Sequence, residues 1–170
     1  PEEAFTDYNF DYAGFREKSS LIAEWDISDV NNIKCVKIFG KRPSDQPKDM
    51  FVDDYYYTAF NVEDSVIVAA TELSQSVVVM NFKGEKLKEK KLSSVFYVPP
   101  EKKDFSQNHS AIDKINYCNS NMLFRGLYYE KDRKLYYRLL ELSGEKSEKT
   151  NKKKEADWVL IVADSKLRKK

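Results

Sequence analysis

Apolar residues stand at consecutive positions in three short runs. They are Val66-Ile67-Val68-Ala69-Ala70, Val77-Val78-Val79-Met80 and Trp158-Val159-Leu160-Ile161-Val162-Ala163. A strand alternates its side chains between two faces, so a sheet wet on one face reads apolar, polar, apolar. Runs without that alternation need cover on both faces. Helices provide it in α/β folds, but no clear amphipathic helical period separates these runs. Sheets stacked on sheets remain, as in radially repeated blades.

Turn residues divide the rest of the chain into further strands. Leu21–Ile27 and Ile33–Phe39 flank the polar turn Asp29-Val30-Asn31-Asn32 and read as a hairpin. Tyr55–Phe60, Ser65–Thr71, Ser76–Phe82 and Lys86–Leu92 form a four-stranded meander. Met122–Tyr129, Leu135–Leu142 and Trp158–Ala163 follow, and Asp164-Ser165 turns the last of them into Lys166–Lys169. Loops are expected near 41–54, 99–121 and 143–157, where proline, lysine and small polar residues collect. Within the second loop, Asp104–Ile115 has room for a short helix.

The sequence therefore predicts one all-β domain over residues 1–170. Its antiparallel four-stranded meanders stack as blades of a partial or incomplete β-propeller, with a β-sandwich as the alternative. The order apolar run, turn, Lys-Leu occurs at Lys86-Leu87 and again at Lys166-Leu167. That interval is two steps of about 40 residues, the length of one propeller blade. The charged strand Lys86–Leu92 suits an outer edge, where lysines discourage edge-to-edge pairing. The strands supply roughly three to four blades, while a ring needs about four to eight. Remaining blades or self-association would complete it.

Composition narrows the function classes. Lys plus Arg (29) nearly cancels Asp plus Glu (28), so no global field draws nucleic acid or anionic membrane. No apolar run approaches the roughly 18 residues of a transmembrane helix. The opening Pro1-Glu2-Glu3 carries no secretory signal and suggests a trimmed start. Cys35 and Cys118 are too few for a disulfide scaffold and too far apart for a paired zinc motif, and each reads as a small buried hydrophobe.

Leu127-Tyr128-Tyr129-Glu130-Lys131-Asp132-Arg133-Lys134-Leu135-Tyr136-Tyr137-Arg138, followed after a gap by Trp158–Asp164, resembles a family of six-bladed β-propeller lipoproteins. Members of that family belong to anaerobic bacterial envelopes, and their function is unknown. Its strand pair reads Tyr-Asp-x-x-Arg-x-x-Tyr-Tyr-Arg, and this chain has Glu130 where the family has Asp. The resemblance implies an envelope location, periplasmic or lipid-anchored at the outer membrane. It carries over no activity.

Few residues suggest chemistry. His109, the one histidine, has Asp113 four residues on, and such a pair can orient a base. Without a nucleophile signature it reads first as a surface-loop residue. Asp53 and Asp54 beside Tyr55 could serve a sugar as an acid/base pair or hold a cation through oxygen. The spacing of a calcium loop is absent, and strand-initiating acids are the simpler account. Arg125 and Arg138 interrupt apolar strands and could hold an anion bidentately. Arg138 could equally lay its stem over Tyr136 with its head wet or paired with Glu141. The resemblance includes Arg138, which makes it the first-choice ligand contact. Lys152-Lys153-Lys154 lies among glutamates and reads as a solvated turn.

No cofactor or metal site is expected. The sequence points to a binding or interaction module for a small ligand, glycan or protein. A carbohydrate-active hydrolase or lyase is the alternative.

Overall fold

The computed structural model describes residues 20–46, 56–100, 111–142 and 157–170. Among these, β1 (Ile22–Asp26) and β2 (Lys34–Phe39) form a two-stranded sheet. A second sheet runs in the order β3 (Tyr56–Asn61), β4 (Val66–Thr71), β5 (Ser76–Asn81), β6 (Lys86–Lys91). The third holds β7 (Leu123–Glu130), β8 (Leu135–Glu141) and β9 (Trp158–Asp164). All pairings are antiparallel between sequence neighbours, and no sheet closes into a barrel.

Side-chain alternation decides which sheet packs on which. From β4 and β5, Val68, Ala70, Val77 and Val79 join Phe124, Leu127, Tyr136, Leu140 and Ile161 of the third sheet. The intervening residues Ile67, Ala69, Val78 and Met80 pack on Phe39, Leu21 and Ile22 of the hairpin. The middle sheet is thus covered on both faces, which is why its inner strands are apolar without interruption. Each fully buried Val or Leu of this kind contributes roughly 1.5–3 kcal/mol. The meander fits the sequence reading, with lysine-rich β6 at its edge.

Among the described residues, the two outermost faces carry exposed apolar side chains. On the hairpin, Trp25 and Val36 are more than half exposed, as are Trp158, Leu160 and Tyr128 on the third sheet. Turns are closed locally. Asn61 donates from Nδ2 to Asp64 at 2.8 Å and accepts the Asp64 amide at 3.1 Å, shaping the β3–β4 turn. Gly84, at φ +84°, turns β5 into β6 directly against the Phe39 ring, where a Cβ would come within 2.6 Å.

One expectation needs correction. Residues 166–169 do not form a strand. Asp164 accepts the amides of Lys166 and Arg168 at 2.9 Å each, and Leu167 takes φ +60° and is buried, so only Lys169 bridges back to Ala163. Within the expected 99–121 loop, α1 (Ala111–Ser120) is a helix that shares residues 111–115 with the 104–115 window, whose residues 104–110 lie outside the described residues. Its Tyr117 packs with Leu73 and Leu123, an anchor that lies outside any strand-like run. The 41–54 loop is described through residue 46 and holds no strand there, while residues 143–156 lie outside the described residues.

Candidate functional site

The two arginines singled out in the sequence come together around one segment, residues 71–75, which joins β4 to β5. Five consecutive carbonyls of that segment each accept a hydrogen bond from elsewhere in the fold. Arg138 donates from Nη2 to Thr71 (3.0 Å) and Ser74 (2.7 Å), and from Nη1 to Gln75 (3.0 Å). The Phe124 amide bonds the Glu72 carbonyl at 3.0 Å, and the Tyr97 hydroxyl bonds that of Leu73 at 2.9 Å. A second bond from Arg138 Nη1 reaches the carbonyl of Leu92 at 2.7 Å, just past β6.

Arg138 is 0% exposed. Its place follows from β8 alternation, since it shares the inward face with Tyr136 and Leu140. Its head is therefore neither wet nor paired with Glu141. The guanidinium lies 3.5 Å from the Phe124 ring centroid, and Phe124 in turn stacks on Tyr97. Carbonyl dipoles and an aromatic face thus solvate the charge in place of water. Burial pulls its pKa down to about 9, which still leaves the group charged at neutral pH.

Arg125 grips the same segment by its side chain. Its Nη1 pairs with Glu72, which is 2% exposed, and its Nε donates to Glu141 at 2.6 Å. The register shift between Phe124 and Gly126 sets Arg125 in the bulge that aims it there. Burial works against its charge, yet the Glu141 hydrogen bond and Glu72 attraction raise its pKa above the ordinary value. Tyr57 completes the cluster by donating to Glu72 at 3.4 Å. Burial first, then the Glu72 charge, pushes that phenol up to about 12. One guanidinium thus bridges two carboxylates, an arrangement suited to fixing structure or meeting a polar ligand.

Glu72 and Tyr57 were not picked out as site residues in the sequence. The available sign was Glu72 itself, a lone acid directly after the apolar β4 run. Asp53, Asp54, Tyr55 and His109 lie outside the described residues. No group of three or more His, Cys, Asp or Glu that could hold a metal occurs among the described residues. Cys35 and Cys118 are half-buried and are not joined in a disulfide. No described helix is long and apolar enough to cross a membrane.

Comparison with known proteins agrees with this architecture. The fold is similar to the crystal structure of a DUF4221 family member from Bacteroides vulgatus, with a TM-score of 0.67 at 13% identity. That likeness covers 94% of this chain and 44% of the other, so the chain spans less than half of its solved relative. No curated protein matches it. The family model for DUF4221, a domain of unknown function, matches residues 21–169, and the chain belongs to that family.

Proposed function

We propose that this chain is part of a β-propeller-type interaction module of the bacterial cell envelope, its three sheets serving as consecutive blades. The observation that carries this reading is the middle sheet, apolar on both faces and covered on each by another sheet. The open faces bearing Trp25 and Leu160 then await equivalent sheets, from further blades or another copy. The envelope location rests on the resemblance of the Leu127–Arg138 strand pair. A small ligand, glycan or protein would sit at the loop ends of the blades, where the partly exposed Arg125–Glu141 pair offers a polar contact. Among the described residues, Glu72 and Glu141 are both engaged by Arg125, which suits a structural or binding role, while Asp53, Asp54 and His109, on which a hydrolase would draw, lie outside the described residues.

Size exclusion with light scattering on the 170-residue chain tests this, with a thermal melt alongside. A defined oligomer, or association through the open faces, is expected. A compact monomer with one cooperative melt would overturn the blade reading in favour of a self-contained sandwich.

A further inference from the structure

A wedge-shaped cavity of about 320 Å³ opens between the second and third sheets, away from the arginine cluster. Val66 and Val68 of β4, Val79 of β5 and Leu87 of β6 wall it from one side. Tyr136 of β8 and Leu167 wall it from the other. The cross-strand row Val68, Val79, Lys88 explains the shape, for the two valines face the third sheet and Lys88 carries the row out to solvent. On the opposite lip, the Asp164 turn holds Lys166 in place.

Polar groups in and around this wedge are unevenly matched. Lys88 and Lys166 are exposed, and neither forms an ion pair among the described residues. The one carboxylate on the rim, Asp64, already accepts from Asn61. Tyr136 is fully buried at the wall of the wedge, with the Asn61 side-chain amide beside its hydroxyl. Ligand pockets span roughly 300–1,000 Å³, which places this one at the small end.

We infer that this cavity binds a small amphipathic anion, a short branched or aryl carboxylate, with its apolar body between Val68, Val79 and Leu167 and its carboxylate toward Lys88 and Lys166. This rests on the reading of the chain as a binding module and names the ligand class. The geometry excludes large glycans from the wedge by volume and disfavours amines by charge.

Methyl-resolved NMR of the full chain, titrated with 4-methylpentanoate and phenylacetate at millimolar concentration, tests the inference. The methyls of Val66, Val68, Val79, Leu87 and Leu167 are expected to shift together with either acid, and much less with the matching amides. Replacing both exposed lysines, Lys88→Ala with Lys166→Ala, is expected to weaken binding about fivefold, as does added salt. Equal response to acid and amide, or unchanged binding in the double variant, would overturn the anion assignment. A silent titration on a well-dispersed spectrum would strike out the cavity. It would leave the blade reading to be judged by light scattering alone.

Discussion

The Nη2 of Arg138 lies 2.7 Å from the carbonyl oxygen of Ser74, across the interface between two sheets. Because the same nitrogen also reaches Thr71, one side chain of β8 fixes both ends of the segment that leads from β4 to β5. The planar fork of arginine is what allows this, since its donors diverge at fixed angles toward carbonyls on different residues.

Arg138→Met keeps a similar apolar stem but leaves four buried carbonyl acceptors short of a donor. It is expected to lose about 3–5 kcal/mol, the cost typical of breaking a buried charge network. Arg138→Lys retains the charge and is expected to recover less than half of that loss, because a point ammonium cannot serve diverging acceptors. Urea unfolding of both variants measures this, and a Lys variant as stable as the parent would refute the fork argument.

For Arg125, removal exposes a different imbalance. Arg125→Gln leaves Glu72 and Glu141 close together without their cation. With Arg125 itself partly exposed, the loss is expected near the low end of the roughly 3–5 kcal/mol seen for buried pairs. Adding Glu72→Gln and Glu141→Gln removes the stranded charges, and the triple variant is expected to be more stable than Arg125→Gln alone. A double-mutant cycle by thermal melting would show additivity instead if the three residues did not interact.

How much of this was legible beforehand depends on range. Strand positions came through because both-faces burial leaves a local mark, as in Val66–Ala70, and because turns such as Asn61–Ser65 carry their own side-chain chemistry. The helix Ala111–Ser120 was legible only as room for a short helix, since its anchor Tyr117 meets Leu73 and Leu123 through contacts that no local pattern records. Arg125 and Arg138 stood out as charges in apolar strands, but their roles were hidden. Whether a strand arginine faces water, a carboxylate or a row of carbonyls is set by the neighbouring sheet. Here the partners Thr71 to Gln75 are more than 50 residues away in sequence.

Tyr57 makes an alkaline prediction. Its folded pKa of about 12 lies above the ordinary 10.0. The phenol therefore stabilises the fold fully below pH 10, and that contribution is lost as pH rises through about 12. Absorbance titration of the tyrosinate band is expected to show a late fraction, since burial also raises Tyr129 and Tyr136. Tyr57→Phe is expected to shrink that fraction by one group and to flatten stability over pH 10 to 12. An unchanged late fraction would place Tyr57 in contact with solvent.

Asp164 acts at the other extreme. Amide hydrogen bonds from Arg168, and then the Arg168 side chain, lower its pKa from 3.8 to about 2. Stability from this turn is present above pH 3.8 and is lost as pH falls through about 2. Asp164→Asn is expected to flatten that acid limb and to release Leu167 from its buried seat, which fluorescence and melting curves between pH 2 and 5 would register. A variant that kept the parent's acid profile would show that the turn holds without the carboxylate.

Gly84 reports on the hairpin. A methyl at this position would come within 2.6 Å of the Phe39 ring, and its φ of +84° is one that side chains rarely adopt. Gly84→Ala therefore pushes on the β2 residue that seats the hairpin against Ile67, Val78 and Met80. The strain falls on the interface between the first two sheets and leaves the contact between the second and third intact. Amide exchange is accordingly expected to speed up across Ile22–Asp26 and Lys34–Phe39 while Leu135–Glu141 keeps its protection. Uniform acceleration in all three sheets would mean instead that they unfold as one unit. In that case the hairpin is not a separable layer but part of a single cooperative core.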